Sequence, residues 1–439
     1  MSSLKMPKNY WKLWTADTVS NLGNGVSSIA FPWLASALTR SPLTIAIVGL
    51  MSQLPWLLFT LPAGVITDRF DRKKIIIATD VARGVVTLVA CAILFANRSS
   101  FLHIKDPTHG YTGGSATFLI GMMMVATFIL GSAEVLGNNS AQTFLPDVVE
   151  EKYLQKANGQ MASAESIANQ FAGPALGSLL LGISIYIPFL FDAASFFASA
   201  ALIALITAQG AKIINNRKES NESATQLFTN ELKEGFRWLM GHEILRPMAY
   251  TLGALNFVSS LALASFILFA QEVLHVSIFV MAVLGTAGAF GGLVGGIAGP
   301  KLIAKIGEGT TLTVALLSFP TLFLLGSLVT RWYIFYILVF LEMFTAVIWN
   351  IVTVSFRQTI IPSQLLGRVN SGYRFFGWGS MPLGSLAGGV ITTISAHYIS
   401  REYSLRLPFV VAGVIGLGVF LATRGRFTSE RLESAKSHT

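Results

Sequence analysis

The chain has 439 residues, of which 53% are hydrophobic and only 12% are charged. Soluble globular proteins carry about 25% charged residues, so this composition excludes that class and predicts a polytopic membrane protein. The formal net charge of +9 does not indicate nucleic-acid binding, because the basic residues fall in short loops between apolar stretches, where they set topology and contact anionic lipid.

Twelve stretches of the chain are apolar and long enough to cross a bilayer, for which about 20 residues are needed. Most of the 31 Lys and Arg residues fall on one side of these stretches, and we assign that side to the cytoplasm. We therefore expect an all-α membrane protein with twelve transmembrane helices and both termini in the cytoplasm. The expected spans are 13–38, 43–67, 75–97, 116–141, 157–185, 188–208, 246–273, 278–300, 310–330, 333–356, 369–396 and 407–424.

The longest hydrophilic segment, residues 209–245, divides the spans into two sets of six. We expect an amino-terminal bundle (1–208), a cytoplasmic connector (209–245), and a carboxy-terminal bundle with a cytoplasmic tail (246–439). Within the connector, Leu227–Met240 carries apolar residues on one face at helical spacing. This pattern predicts an amphipathic helix on the inner membrane surface.

The two sets of spans repeat one another. Asn24–Ala30 matches Asn256–Ala262 at an offset of 232, and Gln142–Pro146 matches Gln358–Pro362 at an offset of 216. The offset shrinks because the outer loop after the third span is longer than its counterpart in the second set. Such a repeat indicates two bundles related by an axis along the membrane normal.

A short charged segment, Gly64–Lys74, separates the second and third spans. It cannot enter lipid, and its excess of basic residues places it on the cytoplasmic side. The segment resembles the loop between the second and third helices of the major facilitator superfamily of transporters, whose usual form is Gly-x-x-x-Asp-Arg-x-Gly-Arg-Arg/Lys-Arg/Lys. Asp71 stands where glycine is usual, as in the subgroup of macrolide-efflux and siderophore-export proteins. The matching residues are Gly64, Asp68, Arg69 and Arg72.

We expect this charged loop to act as a conformational latch on the inner face. Asp68 is expected to accept hydrogen bonds from backbone N–H groups at the start of the eleventh span, where the helix dipole favours an anion. Arg72 is expected to pair with Asp147 below the fourth span.

The fifth span contains Gly173-Pro174-Ala175-Leu176-Gly177, which resembles the Gly-Pro-x-x-Gly-Gly element of proton-driven drug antiporters. Proline frees a backbone carbonyl and glycine lets helices approach closely, so the element predicts either a hinge or a packing seam. Pro382 and Gly384 in the eleventh span are its counterparts in the repeat.

The resemblance covers essentially the whole chain and carries functional implications. It implies two six-helix bundles around a central cavity, alternating access, and secondary active export of a small amphipathic organic compound, such as a macrolide or a siderophore, across the cytoplasmic (inner) membrane. It further implies protons as the coupling ion, contact with membrane lipids, and a monomer. Two alternatives stay open, a lysophospholipid transporter and a membrane sensor that transports nothing.

Polar residues inside the spans are the candidate functional residues, because a charge at the bilayer centre costs about 2.5–3.5 kcal/mol on insertion scales. Burial disfavours the charged form of a carboxylate, which can then exchange protons near neutral pH. The proton-coupling candidates are Glu134, Glu342, Asp17 and Glu165, with the first two ranked highest. In the family, spans 1, 4, 7 and 10 line the cavity. The substrate-cavity candidates are Asn21, Asn24, Gln53, Asn256, Asn350, Phe31, Phe257 and Trp349.

Three further ionisable residues in the spans are given structural interpretations. Asp80 and Arg83 lie three residues apart and are interpreted as an ion pair, and Asp192 is interpreted as solvated near the outer end of the sixth span. The sequence contains neither a phosphate-binding Gly-Lys-Ser/Thr motif nor a histidine or cysteine cluster, so we expect no enzyme activity, no metal, no cofactor and no ATP use.

Overall fold

The computed structural model describes residues 6–97, 115–207, 224–362 and 365–437. Every regular element within these ranges is helical, which confirms the all-α fold class. The α-helices are α1 (Lys8–Leu38), α2 (Pro42–Arg69), α3 (Arg72–Ala96), α4 (Ser115–Val148), α5 (Glu151–Glu165), α6 (Gly173–Ile183), α7 (Ile187–Ala204), α8 (Ala224–Gly241), α9 (Leu245–Leu263), α10 (Phe266–Glu272), α11 (Ile278–Ile306), α12 (Glu308–Leu328), α13 (Trp332–Ile360), α14 (Leu366–Ser395), α15 (Arg401–Thr423) and α16 (Ser429–Ser437).

Nine helical segments in the described ranges are long and apolar enough to cross a membrane. They are 42–60, 72–96, 116–148, 187–204, 245–272, 278–306, 308–328, 332–360 and 401–423. The other three predicted spans coincide with α1, the α5–α6 segment and α14, which do not meet this criterion. α1 and α14 are rich in Asn, Ser, Thr and Gly, which lowers their hydropathy, and the π-segment divides α5 from α6 into two short helices. The predicted number of twelve is therefore not confirmed.

A π-helix joins α5 to α6 and covers Ser166–Ala172. Its physical cause is Pro174, which has no N–H to give to the carbonyl of Gln170. The amide of Gly173 instead donates to the carbonyl of Ala168, five residues back. Such π-segments are frequent at functional sites of helices.

The described residues fall into two compact units. In the first unit α1 packs on α6 and α7, while α3 packs on α4 and α7. Its buried apolar core includes Tyr10, Leu13, Phe144 and Ile203. The first unit comprises Met1–Arg40, Met51–Ser220 and Ser277–Thr286.

In the second unit α9 packs on α14 and α15, and α12 packs on α13 and α15. The amphipathic helix α8 belongs to this unit and lies against α14, where Arg368 pairs with Glu234 at 2.6 Å and the rings of Phe236 and Phe376 stack. The second unit comprises Ser41–Leu50, Asn221–Val276 and Ala287–Thr439.

The two units use the same set of helix contacts. The helices α1, α3, α4, α6 and α7 correspond in chain order to α9, α12, α13, α14 and α15, and each contact named for the first unit has its counterpart in the second. The sequence repeat is thus accompanied by a repeat of packing.

Candidate functional site

The charged loop between α2 and α3 is anchored through Asp71 and Arg72. Asp71 is the N-cap of α3, and its carboxylate accepts a hydrogen bond from the amide of Lys74 at 3.3 Å. Arg72 donates to Asp147 on α4 at 3.2 Å and to the carbonyl of Thr143 at 3.0 Å. The Arg72–Asp147 pair is therefore present, and it joins two helices of the same unit.

The structure describes fewer contacts for the other predicted latch residues. Arg69 is exposed at the end of α2. The surroundings of Gly64 and the side chain of Asp68 lie outside what the structure describes. The expected contact of Asp68 with the start of α14 therefore remains a prediction.

The Gly173-Pro174 element forms a tight seam between α6 and α1. A Cβ atom at Gly173 would lie 2.5 Å from the Cα of Gly25, and one at Gly177 would lie 2.7 Å from the carbonyl oxygen of Val26. Real Cβ atoms do not approach a backbone so closely, so both positions require glycine. Pro174 is buried in this seam.

The corresponding element of α14 forms the equivalent seam with α9. A Cβ atom at Gly384 would collide with the carbonyl oxygen of Phe257, and one at Gly388 with that of Leu261. Pro382 is buried beside them. Because Gly25 and Phe257 occupy matching positions of the sequence repeat, both units build the same kind of close helix pair.

Among the predicted coupling residues, Glu342 has the best-defined surroundings. It lies on α13 and accepts a hydrogen bond from Ser259 of α9 at 3.2 Å. It also lines a small cavity of about 20 Å³, room for a single water molecule. The rest of the lining consists of Leu263, Leu322, Phe323, Gly326, Phe335, Leu338, Val339 and Phe409. Within the described residues, no basic side chain forms an ion pair with Glu342.

The other three coupling candidates lie in the first unit. Glu134 is partly buried on α4, where the positive charge of Arg83 acts on it. Asp17 is partly buried on α1, and Glu165 is exposed at the end of α5, directly before the π-segment. The negative charge of Glu165 acts on Asp17, so these two carboxylates lie near each other.

Several predicted cavity residues are held by hydrogen bonds or ring contacts, within their own helix or with a neighbouring one. Asn21 is buried and donates to the backbone carbonyl of Asp17 at 3.0 Å. Asn256 donates to the carbonyl of Gly377 at 2.9 Å, in the part of α14 that precedes Pro382. Phe31 packs edge-on against Phe189 with the ring centres 5.0 Å apart.

Gln53, Asn350 and Trp349 differ sharply in their surroundings. The Oε1 atom of Gln53 is buried and has no hydrogen-bond partner among the described residues. Asn350 is exposed. Trp349 is only 2% exposed and packs against Phe427, which follows α15. The chain after α15 thus covers the ring of Trp349, whereas the sequence predicts this ring at the surface of the substrate cavity.

A buried polar network joins α1, α3 and α7. Arg83 donates to Asn24, Ser27 donates to Asp192 at 2.5 Å, and Ser199 donates to Asp80 at 2.6 Å. Asp192 is 1% exposed, so the interpretation of this residue as solvated is wrong. The predicted Asp80–Arg83 ion pair is present at 3.9 Å, but sequence reasoning missed its links to α1 and α7, because these come from distant stretches of the chain. The helical spacing of Asp192, Ser195 and Ser199 is the signal that marks one polar face of α7.

The profile of the transmembrane secretion effector family matches residues 6–422, nearly the whole chain. This family is part of the major facilitator superfamily. The chain belongs to it. The protein is therefore a multi-pass membrane transporter of the major facilitator type, as the signature loop predicts.

Two relatives show which members it resembles in sequence. The chain is 24% identical over 412 residues to the multidrug efflux pump Tap of Mycobacterium tuberculosis (strain H37Rv), covering 92% of this chain and 91% of that protein. It is 26% identical over 184 residues to the macrolide efflux protein A of Streptococcus pyogenes, covering 40% of each chain.

Two solved structures show the same fold. A bacterial homologue of the iron transporter ferroportin in the inward-facing state gives a TM-score of 0.67 at 15% identity, covering 96% of this chain and all of that one. A bacterial homologue of the lysosomal transporter Spinster gives 0.67 at 14% identity, covering 95% and 97%. At these identities the likeness concerns the fold alone.

Proposed function

We propose that this transporter exports an amphipathic organic compound across the cytoplasmic membrane by alternating access, in exchange for protons. The observation that carries the proposal is the relationship to a multidrug efflux pump over 92% of the chain. The shorter relationship to a macrolide efflux protein supports the same direction of transport and a drug-like substrate. A siderophore is a substrate of the same amphipathic class.

Proton exchange is supported by the surroundings of Glu342. This carboxylate lies among apolar side chains, and its described hydrogen-bond partner is the neutral hydroxyl of Ser259. A proton and a cationic substrate compete for a single negative charge, so binding of one promotes release of the other. Such competition is the basis of antiport.

The proposed topology places both termini in the cytoplasm of a cell with the protein in its inner membrane. Its support is the excess of Lys and Arg residues in the short loops on one side of the spans. We propose that the monomer is the transporting unit and that protons are its coupling ion.

Expression in a drug-sensitive bacterial host tests this function. The expected result is higher macrolide tolerance and lower retention of a cationic dye than with the empty vector, with both effects abolished by an uncoupler. Unchanged tolerance and dye retention would contradict drug export. Movement of labelled lysophospholipid between leaflets without a pH gradient would identify a lipid transporter instead.

A thermal-shift screen of the purified protein identifies the substrate class. A compound that binds only the folded state raises the free energy of unfolding, by about 2.7 kcal/mol at a hundredfold excess over Kd. We expect macrolides or other amphipathic cations to raise Tm, and lysophospholipids to leave it unchanged.

A further inference from the structure

Three ionisable side chains are buried together inside the first unit. Asp80, Arg83 and Asp192 are 5%, 6% and 1% exposed. Charged residues are almost never this buried unless they are paired, because transfer of an ion out of water costs several kcal/mol. With two carboxylates and one guanidinium in this cluster, one carboxylate has no cation of its own.

The guanidinium of Arg83 holds a central position in this cluster. It lies 3.9 Å from the Asp80 carboxylate, one turn earlier on α3, and 4.0 Å from the centre of the Phe196 ring on α7. Its positive charge acts on Asp80, Glu134 and Asp192, which come from three different helices. Asp17 on α1 adds a further negative charge near Asp80. One guanidinium therefore stabilises the negative charge of several carboxylates.

The hydrogen bonds distinguish the two buried aspartates. Asp80 accepts from Ser199 and has Arg83 on its own helix. Asp192 accepts from Ser27 at Oδ2, whereas its Oδ1 atom is buried and has no hydrogen-bond partner among the described residues. A buried negative charge is costly where no donor stabilises it, and protonation removes that charge, so Oδ1 is the atom of this cluster best suited to carry a proton.

Packing alone does not require this charged cluster. The corresponding helices of the second unit, α12, α13 and α15, make the same contacts, and aromatic side chains pack between them. Phe335 of α13 and Phe409 of α15 lie there with ring centres 5.9 Å apart. The second unit therefore has aromatic rings where the first unit has Asp80, Arg83 and Asp192. Its own buried cation, Arg406 of α15, donates to the backbone carbonyls of Ser327 and Val329 instead of facing buried carboxylates inside the unit.

We propose that Asp192 is a reversible proton-binding site and that Arg83 is its counter-charge. Protonation forms an O–H bond at Oδ1 of Asp192 and leaves Arg83 balanced by Asp80. Release returns the proton to water, and the Asp192 carboxylate then shares Arg83 with Asp80. The site lies about one and a half turns from the Ile187 end of α7, a short distance from the helix terminus.

This inference rests on the proposed proton-coupled export and adds a second titrating carboxylate to it. It concerns the first unit, whereas Glu342 belongs to the second. The site is tested on purified protein without any drug, so its presence or absence does not depend on whether the protein exports a drug.

Infrared pH-difference spectroscopy in the Glu342→Gln background tests the site. We expect a C=O stretching band of a protonated carboxyl group that appears reversibly as pH falls and is lost in Asp192→Asn. Glu433→Gln, which removes an exposed carboxylate of α16, leaves the band unchanged. Asp80→Asn moves the pH midpoint of the band, because Arg83 is then no longer shared. Ser27→Ala moves it too, because Asp192 loses its hydrogen bond.

Two results would overturn the proposal. The first is a band of unchanged intensity and midpoint in folded Asp192→Asn protein. The second is a band that responds to sodium at constant pH instead of to protons. Asp192→Glu covers the case in which Asp192→Asn does not fold: it retains the carboxyl group, so the band must shift in frequency, and an unshifted band assigns the proton to another residue.

Discussion

Ser259 of α9 donates a hydrogen bond to the Glu342 carboxylate of α13 across 3.2 Å. This contact joins the first and fourth spanning helices of the second unit. It fixes the direction of a carboxylate that otherwise faces apolar side chains and a cavity of about 20 Å³. The proposed exchange of proton and substrate depends on this group.

Glu342→Gln is expected to abolish efflux driven by a pH gradient while leaving the fold intact. Glutamine is nearly isosteric and can still accept from Ser259, but it carries no exchangeable charge. Efflux from energised vesicles measures the loss, and Tm measures the fold. Ser259→Ala is the matched control: it removes the hydrogen bond, keeps the carboxylate, and is expected to retain gradient-driven efflux at a reduced rate.

The glycine seam of α6 gives a stability prediction with a control on the same helix. Gly177→Ala places a Cβ atom 2.7 Å from the Val26 carbonyl oxygen and 3.0 Å from its Cα. Since backbone cannot move aside cheaply, we expect a loss of about 1–3 kcal/mol in the free energy of unfolding. Gly182→Ala meets no atom within 4 Å. It is expected to be neutral or stabilising by up to about 1 kcal/mol, because alanine favours the helix. Equal Tm values for the two variants would contradict the close contact between Gly177 and the backbone of α1.

The ion pair of Arg72 and Asp147 predicts a coupling energy between the two side chains. They are 29% and 12% exposed, so water screens the pair only in part. A double-mutant cycle with Arg72→Gln and Asp147→Asn is expected to give a coupling of about 1 kcal/mol in unfolding experiments. Lys74→Gln is the control in the same loop, since Lys74 is exposed. Strict additivity of Arg72→Gln and Asp147→Asn would show that the pair contributes nothing.

His242, in the turn before α9, predicts a pH dependence of stability. Its Nδ1 atom accepts from the amides of Ile244 at 3.1 Å and Leu245 at 3.2 Å, and burial lowers the pKa of the imidazole. The nearby Glu243 opposes this shift. The unfolded chain therefore takes up a proton at higher pH than the folded one. The free energy of unfolding is expected to fall as pH drops below about 6.5, and the contribution is fully present above that value.

His242→Asn separates this effect from general acid destabilisation. Asparagine keeps a side-chain oxygen that can accept from the same amides but does not titrate. Between neutral and mildly acidic pH, the Tm of the variant is expected to fall less than the Tm of the wild type. Parallel curves of Tm against pH for the two proteins would show that protonation of His242 does not contribute to the pH dependence of stability.

The sequence predicts much of this fold because the bilayer imposes a simple rule. Apolar stretches of sufficient length form helices, and the charged loop and the Gly-Pro element mark their places in the chain. The bounds of α3, the start of α4 and the Arg72–Asp147 pair follow from this pattern, whereas α4 continues to Val148, beyond the predicted end of its span at residue 141. The π-segment also has a local cause in Pro174, although its extent depends on how α6 meets α1.

The side-chain environments were less predictable, because they depend on helix rotation and on residues far apart in the chain. Asp192 is near a helix end in sequence, yet α1 and α3 bury it completely. Trp349 shares a helix with polar candidates, yet Phe427 from the chain after α15 covers it. Asn24 is bound by Arg83, a contact that no spacing along either helix reveals.

The most direct test of the account is proton movement during drug transport by the purified protein in liposomes. With a pH-sensitive dye inside and an imposed pH gradient, addition of a transported drug must dissipate the gradient. Glu342→Gln must abolish this drug-dependent proton flux. Drug movement that proceeds at the same rate with and without the gradient, and with no proton flux, would contradict proton-coupled export.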